Sequence, residues 1–522
     1  MSDALVAALA IVAATTATVL GGLRWLRVAQ REHYISGRAG RIALLWLSRS
    51  SRDAALAVVA GLLALVACVA PLGVGAVAAG VLACALAAIL PRGLAVHGRT
   101  SRLAWTGRLR RLAAAWIAIV LVLGAALALL AGPGALALLA VSVPLTVDAA
   151  AAVMGIVEKR MSAPYVANAQ RRLARVRPTV VAVTGSYGKT STKGYIAHLL
   201  AASKAVVASP ASFNNRLGLS RAVNDVLVDG TEVFVAEMGT YGPGEIRELC
   251  TLFPPDVAVI TTIGEAHLER MRTTATVLAA KSEITERARI VVLPVDDPDL
   301  AALAQRCREQ GKTVVTCSVT GTGAGADADV VVDLADGRVT LRSGGEEHTL
   351  ALGAGVAHAV NLAVALGVAL AVDADLGSLA GRLDALPRAA HRAEVQDTGA
   401  GLLVVDDTYN ANPIGARAAL DEAAQLAAAR DGRLVVVTPG IVELGPVQDR
   451  RNEDFAAAAA AAGAHLVVVG RTNRASLVRG AAAGGGMVDV VDQRSQAVPL
   501  ATQAAGLRGV ILYENDLPDH YP

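Results

Sequence analysis

The chain has 522 residues, too many for one compact domain and enough for about three units of roughly 100–200 residues each. Its formal charge of +3 lacks the basic footprint that a nucleic-acid partner demands, so that class is excluded. The apolar excess is Ala, Val, Leu and Gly, concentrated before about Met161; the remainder reads as an ordinary α/β chain.

The first apolar run, Ala4 to Leu23, carries no charge and has the roughly 20 residues needed to cross a bilayer core. Ala54 to Ala70 and Leu72 to Leu90 follow, separated by Pro71. Leu112 to Leu130 and Ala135 to Val157 form a further pair, separated by Gly132-Pro133-Gly134. The sequence therefore predicts a transmembrane helical region over 1–160 with about five spans. Asp148, in the last run, is expected to face protein or an interface.

Basic residues gather in alternate loops: Arg24 to Arg52, Arg92 to Arg111, then Lys159 and Arg160. The turns at Pro71 and at Gly132 to Gly134 have none. The positive-inside rule makes the basic loops cytoplasmic, with the N-terminus outside and everything after Val157 in the cytoplasm. Arg24 follows the first run instead of preceding it, which argues against a cleaved signal peptide. The stretch Arg38 to Arg52 reads equally as an amphipathic helix on the inner surface or as a plain loop. Cys68, Cys84, Cys250, Cys307 and Cys317 show no metal-ligand spacing and read as inert thiols.

At Pro178 the chain changes character. Thr179 to Thr184 is a β-branched apolar run that reads as a buried strand. It leads into Gly185-Ser186-Tyr187-Gly188-Lys189-Thr190-Ser191 and then an apolar-periodic helix. That is the layout of a phosphate-binding loop. Backbone N–H groups cradle phosphates, the lysine adds a point charge, the threonine hydroxyl can ligate Mg²⁺, and the helix N-terminus adds partial positive charge. The full Walker spacing would put a glycine at Val183, where there is none. Val233 to Met238 is a second strand ending in Glu237, placed where open parallel sheets bind ligands. Val257 to Thr262 is a third, followed by His267 and a helical stretch holding Lys281 and Glu283. Singly, each of these reads as well as a capping, loop or solvated helix residue.

Together these segments resemble the Mur ligases, most closely the type that adds D-alanyl-D-alanine to UDP-N-acetylmuramoyl-tripeptide. The resemblance runs from about Pro178 to near the end. It rests on Thr184 to Thr190, Phe213-Asn214-Asn215-Arg216-Leu217-Gly218, Glu237-Met238-Gly239, Gly244-Glu245-Ile246, Ile263 to Glu269 and Ala280-Lys281-Ser282-Glu283-Ile284. Asn361, Arg392, Asp406 to Pro413 and Glu443-Leu444-Gly445 complete it.

The resemblance implies a central ATP-binding domain over 178–386 and a Rossmann-like domain over 387–522. It implies ATP and Mg²⁺ as cofactors, with Gly185 to Ser191 on the phosphates and Thr190, Glu237 and His267 on magnesium. Lys281 matches the lysine that the family carbamylates, Asn361 an adenine contact, and Arg392 and Asp407 the residues that close over the γ-phosphate and ribose. Tyr409, Asn410 and Asn412 would shape that loop. The implied reaction makes an amide bond through an acyl phosphate, with catalytic roles for Lys189, Lys281 and His267.

Four departures stand out. Membrane helices occupy the place of the family's UDP-binding domain; Pro294-Val295-Asp296-Asp297 replaces Asn-x-Asp-Asp; Ala357-His358 replaces His-Asn; and Tyr513-Glu514-Asn515-Asp516 stands where Lys-Gly-Ser is usual. Expected partners are the lipid bilayer, a carboxylate-bearing cell-wall precursor, UDP-linked or lipid-linked, and an amine such as D-Ala-D-Ala. A ligase of another pathway and a non-catalytic membrane scaffold are the competing readings. Val330 to Leu352, with Asp336-Gly337 and Gly344-Gly345, predicts hairpins. Strands are expected at Leu402 to Val405, Leu434 to Thr438, His465 to Val469 and Val510 to Tyr513, a helix at Ala456 to Gly463 and a loop at Gly480 to Gly486.

Overall fold

A computed structural model of the chain describes residues 3–69, 74–98, 103–352, 358–387, 394–399, 401–409 and 412–522. Arg392 and Asn410, expected at the nucleotide, lie outside the described residues.

The N-terminal third is built of helices: α1 (Asp3–Arg31), α2 (Arg38–Ser48), α3 (Ser51–Val69), α4 (Val74–Ile89), α5 (Gly107–Ala131), α6 (Ala137–Val141) and α7 (Val143–Met161). Among the described residues, Ala4–Arg31, Ser51–Val69 and Gly107–Ala131 are long and apolar enough to cross a membrane. The other two apolar runs differ from expectation. Among the described residues α4 has 16 residues, the start of the expected Leu72 to Leu90 run lying outside them, and the fifth run breaks into Pro133–Val141 and Val143–Met161, bent by 72°. Pro144, in the first turn of α7, has no N–H with which to continue the preceding helix. Counting the bent pair as one span gives up to four.

Small residues such as Ala14, Ala64, Ala83 and Ala137 fill the bundle interior and let the helices approach closely. Leu62, Leu121, Val122, Leu129 and Leu130 are exposed on its outside. The charged ends gather together. Arg92 pairs with Asp53 at 2.6 Å, Arg111 with Glu158 at 2.6 Å, and Gln30 Nε2 donates to the Ala104 carbonyl at 2.7 Å.

Arg38 to Ser48 is a helix and not a plain loop, with Arg38, Ile42 and Trp46 buried. Asp148 of α7 faces protein, as expected. Ala39 N donates to its Oδ1 at 3.0 Å and Gly40 N to its Oδ2 at 2.7 Å, so this carboxylate caps the N-terminus of α2.

Helix α8 (Ala163–Val176) packs Ala169 and Leu173 into the core that follows, so the central unit extends before Pro178. In order come β1 (Thr179–Thr184), α9 (Lys189–Leu200), β2 (Val206–Ala208), α10 (Arg216–Asp225), β3 (Val233–Glu237), α11 (Glu245–Leu252), β4 (Val257–Ile260), α12 (Leu268–Met271) and α13 (Thr274–Ser282). Then follow β5 (Ile290–Pro294), α14 (Pro298–Glu309), β6 (Thr313–Ser318), β7 (Val330–Asp333), β8 (Arg338–Ser343), β9 (Glu346–Ala351), α15 (Ala359–Ala371) and α16 (Leu376–Leu383). The sheet order is β2-β3-β1-β4-β5-β6-β7-β8-β9. It is parallel up to β7, and β7-β8-β9 pair antiparallel through the expected hairpins. Val, Ala and Ile on both faces of the inner strands explain their continuous apolar runs.

The last unit contains β10 (Glu394–Asp397), β11 (Leu403–Asp407), α17 (Pro413–Ala429), β12 (Leu434–Thr438), α18 (Gln448–Ala461), β13 (His465–Val469), α19 (Arg474–Ala483), β14 (Val488–Val491), α20 (Arg494–Ala505) and β15 (Val510–Glu514). Its sheet runs β10-β11-β15-β12-β13-β14, parallel except for β10. The expected strands and the Ala456 helix form, but Gly480 to Ala483 belongs to α19 instead of a loop.

Candidate active site

The phosphate loop links β1 to α9 at the carboxyl edge of the central sheet. In β1–β3 pairing Val183 lies beside Glu237, and in β1–β4 pairing Thr184 lies beside Ile260. The ends of three neighbouring strands therefore converge on one crevice. Gly188 has φ 80°, and a Cβ there would come within 2.2 Å of Asn361 Oδ1. Only glycine fits that left-handed, crowded position. Asn361, buried at the start of α15, thus sits directly on the loop.

Other loop residues are tied to the segment after β4. Ser186 N donates to the Thr262 carbonyl at 2.8 Å, Tyr187 N to Thr262 Oγ1 at 3.1 Å, and Gly264 N to Ser186 Oγ at 3.0 Å. Lys189 Nζ donates to the Gly185 carbonyl at 2.7 Å. Lys281 Nζ, from the last turn of α13, donates to the same oxygen at 3.0 Å. Burial, followed by the charge of Lys189, pushes the Lys281 amine well below the usual lysine range.

Glu237 is buried and fully engaged. Thr190 Oγ1 donates to its Oε2 at 3.1 Å, Lys193 Nζ to the same oxygen at 2.9 Å, and Asn214 Nδ2 to Oε1 at 3.2 Å. Lys193 was not anticipated from the sequence, although it lies one helical turn after Lys189 and so shares its face.

His267 is not joined to Glu237. Its Nδ1 instead meets Glu443 Oε2 of the C-terminal unit at 2.7 Å. Burial would raise the Glu443 carboxyl, but the bond and charge of His267 and the charge of Arg38 outweigh it and hold it at about 2. Among the described residues no three His, Cys, Asp or Glu side chains converge as a ready-made metal cluster. The oxygen donors at Thr190 and Glu237 nevertheless suit magnesium, which prefers few protein carboxylates together with water and substrate phosphate.

The C-terminal unit reaches across the crevice. Arg451 grips Glu265 with two bonds of 2.6 Å, and Tyr409 Oη meets Ser212 Oγ at 2.8 Å. A cavity of about 470 Å³ opens between the units, lined by Tyr187, Gly264, Glu265, Ile414, Arg417 and Phe455. Asp407 lies at the end of β11, level with Glu514 of β15. The cysteines carry no disulfide, and burial pushes the Cys250 thiol up to about 12.

The Mur ligase middle domain model matches residues 183–369, and the model "Mur ligase, glutamate ligase domain" matches residues 391–513. The UDP-N-acetylmuramoyl-tripeptide–D-alanyl-D-alanine ligase of Mycobacterium tuberculosis (strain ATCC 25618 / H37Rv) is 36% identical over 255 residues, covering 48% of this chain and 49% of that one. The enzyme of the same name from Bacillus subtilis (strain 168) is 32% identical over 298 residues, 55% of this chain and 62% of its own. The chain thus spans about half the length of the Mycobacterium relative it matches. A crystal structure of MurF from Acinetobacter baumannii superposes with a TM-score of 0.56 at 24% identity, over 67% of this chain and 77% of that one. MurF ligase from Thermotoga maritima in complex with ADP gives 0.55 at 24%, over 68% and 80%. These two likenesses carry the fold.

Proposed function

We propose, from the premise that this chain belongs to the Mur ligase family through its middle and C-terminal domains, that it is an ATP-dependent amide ligase acting on a cell-wall peptide precursor. The observation that carries the reading is the convergence of Lys189 and Lys281 on one loop carbonyl, with Thr190, Glu237 and Lys193 interlocked beside them.

A substrate carboxylate oxygen attacks the γ-phosphorus of ATP, the bond to the β–γ bridging oxygen breaks, and ADP leaves. The nitrogen of the incoming amine then attacks the acyl carbon, the C–O bond to phosphate breaks, and the amine's proton passes to solvent. Lys189 offsets negative charge on the transferring group, and the loop N–H groups orient it. Glu237, fixed by Lys193 and Asn214, holds the Thr190 hydroxyl in place. The C-terminal unit, with Asp407 and Arg392 assigned to the nucleotide, closes the crevice and excludes water from the activated acid. Thr190, Glu237, His267 and, once carbamylated, Lys281 are the residues that would hold magnesium, which would supply positive charge to offset that of the phosphates. Carbamylation requires the neutral amine, which the burial of Lys281 favours: nitrogen bonds the carbon of CO₂ and one proton is released.

The helical region, on this reading, is a multi-pass anchor with the N-terminus outside and both α/β units in the cytoplasm. The apolar exterior and the pairing of Arg27, Arg38 and Lys159 with Asp519, Glu443 and Glu248 of the α/β units support it. The substrate is then a precursor presented at the membrane, lipid-linked, and the amine is D-Ala-D-Ala, the substrate in the relatives' name.

The test is the full chain in nanodiscs with ATP, Mg²⁺, D-Ala-D-Ala and either lipid-linked or UDP-linked muramoyl-tripeptide, with product detected by mass. Ligated product should form, preferentially from the lipid-linked acid, and Lys189→Ala and Lys281→Ala should each abolish it. Equal turnover of the UDP-linked acid would remove the lipid-linked substrate. Absence of ADP release with either acid would remove the reading.

A further inference from the structure

A chain of buried and half-buried charged side chains joins all three parts of the molecule. His267 Nδ1 of the central unit meets Glu443 Oε2 of the C-terminal unit at 2.7 Å, and Glu443 Oε1 accepts from Arg38 Nη2 of α2 at 3.2 Å. Arg38 Nε lies 3.3 Å from Glu32 Oε2, and Glu32 Oε1 meets His520 Nε2 at 2.9 Å. Arg38 and Arg41 also pair with Glu269, two residues beyond His267.

The backbone at the junction is as constrained as the side chains. His267 and Glu443 both take left-handed conformations, φ 57° and 64°, which bulky residues hold only where the surroundings over-determine them. Glu269 N donates to the Glu443 carbonyl at 3.2 Å. A Cβ on Gly445 would come within 2.9 Å of the Leu268 and Glu269 backbone, so the Glu443 loop is pressed onto the His267 turn. On the other side, Arg38 is the first residue of a helix whose N-terminus is fixed by Asp148.

A histidine that ligates a metal through one ring nitrogen commonly donates its other N–H to a carboxylate, which sets the tautomer and the ring orientation. Glu443 engages Nδ1 and leaves Nε2 for a cation. We infer that Arg38, contributed by the helical region, is a positioning residue of the ligase site: it fixes Glu443, which fixes the His267 ring for magnesium. The inference rests on the ligase reading. The helical region is then part of the active unit as well as an anchor.

The experiment uses the full chain in nanodiscs and measures ADP binding by calorimetry across a series of Mg²⁺ concentrations, with thermal unfolding in parallel. Arg38→Gln should raise the Mg²⁺ concentration for half-maximal ADP binding about tenfold, the size expected when a group behind a metal ligand is lost. Arg38→Lys, which retains the charge, should recover most of it. Arg49→Gln removes the ion pair of Arg49 with Asp449, 3.8 Å apart, and should leave the requirement at the wild-type value. A purely docking role for Arg38 would lower the unfolding midpoint without moving the Mg²⁺ requirement. That result, or an Arg49→Gln shift matching Arg38→Gln, overturns the inference. Should Arg38→Gln not fold, Glu443→Gln, which keeps the side-chain shape, carries the same expectation and the same refutation. Failure of the wild-type chain to bind ADP at any Mg²⁺ concentration would remove the ligase reading itself, whereas insensitive variants beside a binding wild type remove only the role of Arg38.

Discussion

Glu514 is enclosed at the end of β15, in the stretch where the family's Lys-Gly-Ser would fall. Thr438 Oγ1 donates to its Oε2, while Oε1 has no hydrogen-bond partner among the described residues. Burial, aided by the charge of Asp407 and opposed by the Thr438 bond, pushes its carboxyl up to about 8. In an unfolded chain it would titrate near 4.3. The folded state therefore holds a proton that the unfolded state has released between those values. The contribution of Glu514 is fully favourable below about 4.3, is lost progressively as pH rises, and falls no further above about 8. Glu514→Gln, which keeps the acceptor and has no charge to bury, should flatten the decline of the unfolding midpoint between pH 5 and about 8 and raise that midpoint at the upper end. A variant whose midpoint tracks the wild type across that range would show that the carboxyl titrates normally.

At the scale of elements, α2 depends on a residue far away in sequence. Asp148 satisfies two N–H groups at the start of α2, where water has little access. Asp148→Ala should destabilise α2 by roughly 0.5–2 kcal/mol, the usual cost of a lost N-cap. Hydrogen exchange over residues 38–48 should quicken while the central sheet keeps its protection, and unchanged exchange in α2 would deny the cap its role. The same element shows what a sequence displays and what it hides. Arg38 to Arg52 fits a helix or a loop equally, because its capping group is supplied by α7. The inner strands are plain in Thr179 to Thr184 and Val257 to Ile260, where burial on both faces favours a near-continuous run of Val, Ile and Ala. Edge strands β10 (Glu394–Asp397) and β14 (Val488–Val491) are partly exposed and mix acids with valines, so no run announces them. Hydropathy sums over the bend at Ser142 without registering it, and Pro144 was its one local mark. The phosphate loop is legible because its chemistry is local. The tie between His267 and Glu443 is not, because 176 residues separate its ends.

For the whole molecule, the bundle is joined to the α/β units by more than its covalent link. Arg27 pairs with Asp519 at 2.7 Å, Trp46 Nε1 donates to the His520 carbonyl at 2.9 Å, and Tyr521 packs against the helical core. These contacts fix which end of the bundle meets the α/β units, and hence, on the proposed membrane reading, which loops share their compartment. Chain parity follows. If the ends of α1, α4 and α7 meet the α/β units, the turn between α5 and α6 lies at the opposite end, even though α4 is short and the α6–α7 pair is bent. Its residues Gly132 to Gly134 carry no charge, whereas Lys159 and Arg160 sit at the end that meets the α/β units, where Lys159 pairs with Glu248 at 2.8 Å. If the bundle crosses a bilayer as proposed, the positive-inside rule and the geometry call for the same orientation. In intact cells carrying a Cys68→Ser background, Ala131→Cys should react with a membrane-impermeant thiol reagent added outside. Ser162→Cys, half-exposed just after α7, should react only once the membrane is opened. Labelling of Ser162→Cys from outside would invert the orientation. Labelling of neither in intact cells and both after lysis would mean that the bent pair does not cross, and that the bundle enters the bilayer from one side only.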